Sequence, residues 1–93
     1  MYATVRTYSG APELADALVS NEAAVKSLIS GIDGFKAYYL IRTSDGAVSI
    51  SVYDNEAGAT ESTSAASTWI RENLPDLGVT APQVSVGEVV ISA

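Results

Sequence analysis

Two runs of residues, Phe35-Lys36-Ala37-Tyr38-Tyr39-Leu40-Ile41-Arg42 and Val48-Ser49-Ile50-Ser51-Val52-Tyr53, decide the fold. Both are rich in β-branched and aromatic residues, which favour strands. Ser44-Asp45-Gly46 stands between them, and an Asp-Gly pair supplies the positive φ of a tight hairpin turn. The second run alternates apolar and small polar residues, so its two faces meet different surroundings. On the N-terminal side of this hairpin, Leu14, Leu18, Val25, Leu28, Ile29 and Ile32 recur at helical spacing. They predict one amphipathic helix from the Ala11-Pro12-Glu13 entry to about Gly31. Before it, Tyr2 to Tyr8 reads as a strand closed by Ser9-Gly10. On the C-terminal side, Asp54 or Asn55 caps a second helix that carries the Ser/Thr-rich stretch Ala59 to Thr68 into Trp69-Ile70-Arg71-Glu72-Asn73-Leu74. Read alone, that stretch has the composition of a polar linker, because Ser and Thr are moderate helix formers. The absence of Gly and Pro within it, and the small-residue face it presents, favour a helix. Pro75 and Gly78 stop it, and a last strand runs from Gln83 to Ile91.

The resulting order, β-α-β-β-α-β, is that of a ferredoxin-like α+β fold, an antiparallel sheet of order 4-1-3-2 with its helices on one face. Residues 1–93 are expected to form a single domain. Parity then poses a problem. If Ala3, Val5, Val48, Ile50 and Val52 face the helices, the open face holds Tyr2, Thr4, Arg6, Tyr8, Ala47, Ser49, Ser51 and Tyr53. The run 35–42 and the last strand carry large apolar groups on both faces. A sheet apolar on both faces needs cover on both, and a two-fold homodimer with its sheets face to face supplies it.

Composition removes many kinds of chemistry. The 93 residues contain no Cys and no His, which excludes thiolate nucleophiles, disulfides, zinc–thiolate sites and Ser-His-Asp or Cys-His catalysis. Five Lys and Arg against eleven Asp and Glu give a net charge of −6, which argues against nucleic-acid binding. The acids are dispersed, so no metal-ligand spacing appears. No apolar run is long enough for a membrane helix, and the N-terminus lacks the pattern of an export signal. A cytoplasmic protein is the expectation.

The element order, the segment Gly31-Ile32-Asp33-Gly34-Phe35-Lys36-Ala37-Tyr38-Tyr39, and the strand end Val52-Tyr53-Asp54 before an acid-led helix together carry a resemblance. The chain resembles the antibiotic biosynthesis monooxygenase (ABM) domain family of the dimeric α+β barrel superfamily over essentially its whole length. Asp33 stands where relatives often have Pro, and a His that many carry late in the second helix is absent. The resemblance implies a dimeric barrel and, in one branch, cofactor-independent oxygenation or isomerisation of a small aromatic molecule between sheet and helices. The haem-degrading branch would be expected to use a His ligand, so no haem and no other cofactor are expected.

Several residues are candidates for such a site. Arg6 and Glu88 lie on neighbouring strands and are expected to meet on the open face, either as a structural ion pair or with Arg6 steadying an enolate or phenolate. Tyr53, at a strand end, is the first choice among the tyrosines for a catalytic group, with Tyr38 as a ligand contact. Trp69 and Asn73 are four apart and share a helix face. Relatives use Trp and Asn on a pocket-lining helix, whereas a core anchor and a helix-end amide are the plainer readings. Thr4, Ser49 and Ser51 are small polar residues whose size leaves room for a ligand. The catalytic set is thus Arg6, Tyr53, Trp69 and Asn73, and the ligand-binding set Thr4, Tyr38, Ser49, Ser51 and Glu88. The alternative is a non-catalytic homodimer that binds a small ligand or serves only structure.

Overall fold

A computed structural model describes all residues, 1–93. In chain order it contains β1 (Tyr2–Tyr8), α1 (Leu14–Ser20), α2 (Glu22–Ser30), β2 (Phe35–Arg42), β3 (Ala47–Tyr53), α3 (Glu56–Asn73), a 3-10 turn at Pro75–Leu77, and β4 (Gln83–Glu88). The strands form one antiparallel sheet of order β2-β3-β1-β4, which is the expected order counted from the other edge. The ferredoxin-like α+β class is borne out.

The first helical segment is two helices, broken at Asn21 (φ −116°, ψ 29°). The Asn21 side chain donates to the Ala17 carbonyl at 2.8 Å and its backbone N–H turns to Leu18 O at 3.0 Å. A short amide side chain competes in this way with the helical ladder. The Ser/Thr-rich segment is the longest helix, capped by the Asn55 side chain, which accepts from the Gly58 N–H at 3.0 Å. Gly58 lets that helix settle on the sheet, since a Cβ there would stand 3.0 Å from the Tyr53 ring. The hairpin turn forms where predicted, but Gly46 does not have positive φ. It is needed for close approach instead: a Cβ at Gly46 would lie 2.1 Å from the Tyr8 carbonyl oxygen. The last strand stops at Glu88 rather than Ile91, and Val90 and Ile91 are exposed.

The main correction concerns sheet parity. Thr4, Arg6, Tyr8, Ala47, Ser49, Ser51 and Tyr53 are buried under the helices, and Val5, Val48, Ile50 and Val52 lie on the open face. Helix-facing residues therefore fall in three bands. Tyr8 and Ala47 join Leu14, Leu18, Val25 and Ile70 in one apolar cluster. Tyr53 joins Ile29, Ile32 and Ala59 in another. Between them, by strand register, lies a polar band of Thr4, Arg6, Ser49 and Ser51. Simple hydrophobic sorting chose the other parity. It lost because α3 supplies matching hydroxyls to the polar band, so burial leaves none of its side-chain atoms unpaired.

Candidate functional site

Arg6 organises the polar band. Its side chain is 1% exposed, pinned between β3 and α3. Nε donates to Ser49 Oγ at 2.9 Å and Nη2 to Ser51 Oγ at 2.9 Å. Nη1 donates to Ser62 Oγ at 3.0 Å and to Thr63 Oγ1 at 3.3 Å. Ser62 in turn donates to the Ala59 carbonyl at 2.7 Å, which leaves its oxygen free to accept from Arg6. Thr4 meets Thr63 at 3.3 Å. Every partner is a neutral hydroxyl. The ion pairs of the chain, Lys26–Glu22, Lys36–Asp54 and Arg42–Asp16, are exposed and do not include Arg6.

The Arg6–Glu88 pair does not form. Arg6 lies opposite Val84, whereas Glu88 lies opposite Tyr2 at the other end of the strand pair and is exposed. Four residues of strand separate the two positions, about 13 Å at the usual rise.

Beside Arg6 is a small cavity of about 20 Å³, space for one water molecule. Tyr8, Tyr38, Ser49, Trp69, Leu18, Val25, Leu28, Ile29, Ala66 and Ile70 complete its lining. A groove of about 380 Å³ adjoins it between α1–α2 and the β2 edge, lined by Leu18, Val19, Val25, Phe35, Tyr38, Leu40 and the polar residues Glu22, Lys26 and Ser30. Leu18, Val25 and Tyr38 belong to both spaces and form the wall between them. The structure thus brings together Arg6, Tyr38, Ser49 and Trp69 from the predicted set, and Ser51 and Thr4 stand behind Arg6.

Tyr53, expected at a cavity mouth, is fully buried in the second apolar cluster, and its hydroxyl donates to the Ile29 carbonyl at 2.8 Å. It closes α2 onto β3 and lines neither space. Asn73 is exposed at the end of α3, where its side chain donates to Trp69 O at 2.9 Å, four residues back. That is helix-end chemistry, and it takes Asn73 out of the cavity. Tyr8, Ser62 and Thr63 were missed as site residues. Their signal was present in the sequence: an Arg on a strand whose same-face neighbours are hydroxyls requires more hydroxyls opposite, and only α3 offers them.

Burial raises the Tyr8 hydroxyl above its ordinary value of 10.0, with the nearby Arg6 guanidinium acting in the lowering direction. Tyr38 is raised by burial as well; Arg6 opposes the rise, and the Tyr8 and Tyr53 hydroxyls add to it. Tyr53 is raised by burial, with the nearby Ser62 hydroxyl and Arg6 charge acting in the lowering direction and Glu61 raising it. Neutral phenols and one guanidinium therefore converge on the cavity at neutral pH. Such a set has the chemistry to bind and steady an oxyanion; it contains no group that is a strong base at that pH.

The sheet order and the placement of all helices on one face give this chain an ABM-like ferredoxin-like α+β fold. Solved structures agree. The haem degrader MhuD from Mycobacterium tuberculosis, with two haems bound in its active site, superposes with a TM-score of 0.70 at 9% identity, covering 100% of this chain and 99% of that one. A monooxygenase from the ActVA-Orf6 gene of Streptomyces coelicolor, in complex with nanaomycin D, gives 0.60 at 20% identity, with 98% and 91% covered. SnoaB, a cofactor-independent oxygenase from Streptomyces nogalater, gives 0.59 at 14% identity, with 98% and 92% covered. No family model matches the sequence, and no curated protein does.

These likenesses correct one expectation. The lack of His was taken to set haem aside, yet MhuD structures hold haem, or two manganese protoporphyrin IX molecules per active site, in this same fold. An axial ligand drawn from the lining of this cavity would have to be a phenolate, and burial holds Tyr8 and Tyr38 protonated. The donor set does not match the group, so no chemical step is derived through it.

Proposed function

We propose that the protein is an ABM-like oxygenase of a small aromatic molecule, which uses no cofactor and works as a homodimer. The observation that carries this reading is the aromatic groove of about 380 Å³ that abuts, across Tyr38, Leu18 and Val25, the cavity holding Arg6 and Trp69. A flat ring fits against Phe35 and Tyr38, and its oxygen reaches Arg6 once the shared wall shifts. In such a site a hydroxyanthrone supplies its own electrons. Its methylene carbon loses two hydrogens and gains one oxygen atom, and the other oxygen atom leaves as water. The protein contributes a dry, oriented site and a fixed positive charge toward the enolate oxygen.

The solution test is oxygen uptake with 1,8-dihydroxyanthrone. Uptake well above the protein-free rate is expected, with a marked loss in Val25→Trp, which fills the wall between groove and cavity. A rate equal to the protein-free rate with this and related hydroquinones would end the reading. Haemin titration runs beside it, because uptake that requires haemin would replace cofactor-free chemistry with a haem-dependent one. The small size of the cavity beside Arg6 favours one second reading, a homodimer that holds an aromatic ligand in the groove without turnover. Saturable binding with no oxygen uptake would establish it.

A further inference from the structure

Arg6 presents a charge problem that the oxygenase reading leaves unsolved. A guanidinium is a permanent cation with five N–H donors, and here four hydrogen bonds engage it, all to neutral hydroxyls. A cation this deeply buried without a counter-charge is unfavourable, and such charges are ordinarily paired. The chain has eleven acids to draw on, yet none pairs with Arg6. Arg6 lines a small cavity that Tyr8 and Tyr38 also line. Hydroxyls from two elements, β3 and α3, hold it in one orientation.

We propose that the Arg6 cavity is an anion site whose ligand binds as a monoanion already ionised in its resting state, through a carboxylate or phenolate oxygen carried on an aromatic ring. The inference rests on the groove-and-cavity reading above, because the ring occupies that groove, but it does not require turnover. One negative charge neutralises Arg6. Tyr8 and Tyr38 act as donors, since burial keeps their phenols protonated. A neutral ligand of the same shape leaves the cation uncompensated and binds more weakly.

The probe is 4-nitrophenol, whose phenolate absorbs in the visible and reports its own ionisation. Bound to excess protein, it is expected to ionise about one pH unit or more below its free value, which is a tenfold preference for the anion. Benzoate is expected to displace it at least about tenfold better than the isosteric amide benzamide, and Arg6→Gln to remove both the shift and the preference. Displacement by benzoate with no shift in the phenol assigns the site to carboxylates. A shift without displacement assigns it to phenolates. Either keeps the proposal. An unchanged or raised ionisation together with equal displacement by benzoate and benzamide overturns it, and this comparison needs only the unaltered protein should Arg6→Gln fail to fold. Oxygen uptake is read separately. An ionisation shift without turnover sinks the oxygenase and leaves the anion site, and turnover with a neutral bound probe does the reverse.

Discussion

Tyr53 shows how a single residue divides between chemistry and structure. Its place at a strand end marked it in the sequence as a pocket group, but the fold commits its hydroxyl to the Ile29 carbonyl and its ring to an edge contact with Phe35, centroids 5.9 Å apart. Tyr38, three residues beyond Phe35 on the helix-facing side of β2, is the tyrosine shared by groove and cavity. Strand position alone could not separate these two, since the difference lies in which phenol finds a backbone partner across the core. Tyr53→Phe is expected to cost about 1 kcal/mol near neutral pH, the net worth of one buried hydrogen bond. Burial raises Tyr53 above 10.0, along with Tyr8 and Tyr38. The unfolded chain then loses those protons at lower pH than the folded chain, so stability is full below about 10 and falls as pH rises through the folded values. Denaturant midpoints taken across that range should decline for both proteins and converge, because the variant has one fewer phenol to ionise. A gap that widens with pH contradicts the assignment.

At the scale of the element, α3 carries most of the surprise. Its sequence is poor in large apolar residues, and its buried positions are Gly58, Ala59, Ser62 and Ile70. The small residues bring the helix close to β3, and the hydroxyls then reach Arg6. The order of elements was legible because caps, turns and apolar spacing all agree with it. Parity was not legible. The helix-facing set on β1 and β3 is the more polar one, and its burial makes sense only once the hydroxyls of a distant helix are counted. The same pairing explains why the site was half found: Ser49 and Ser51 were read as space for a ligand, and they are two of the oxygens that hold Arg6. A pair of substitutions within α3 isolates this role. Ser64→Ala, at an exposed position, is expected to be neutral or slightly stabilising, because Ala is the better helix former. Ser62→Ala leaves an Nη1 hydrogen of a buried cation short of a partner and is expected to cost about 1–3 kcal/mol. Equal effects in thermal or chemical denaturation would mean that the hydroxyl band contributes nothing to holding Arg6.

For the whole molecule, inverted parity strengthens the case for a dimer and moves its location. The open face carries Val5, Val48, Ile50 and Val52 on the central strands and Ala37, Tyr39 and Ile41 on β2, with Tyr39 60% and Ile41 46% exposed. The helices cover the other face only, so this apolar surface meets water in a lone protomer, and contiguous apolar patches of this kind mark interaction surfaces. In the homodimer proposed above, a second copy of the chain would present the same face and close the gap with two-fold symmetry. Chain charge does not prevent this, because every acid except Glu88 at the end of β4 lies off the strands, and the open-face positions named above are uncharged. Ile50 sits at the middle of β3, paired with Val5 on one side and Tyr39 on the other. Ile50→Lys places a charge at the centre of that face without touching the helix-facing side that holds Arg6 and the apolar clusters. Light scattering on a sizing column is expected to give twice the chain mass for the unaltered protein and the chain mass for the variant. Circular dichroism of the variant should keep its helical signal, because the core under the helices is intact. A monomeric unaltered protein would leave the apolar face for a different partner, and a variant that stays dimeric would place the interface elsewhere, with the exposed Val84 and Val86 on the uncovered β4 edge as the next surface to substitute.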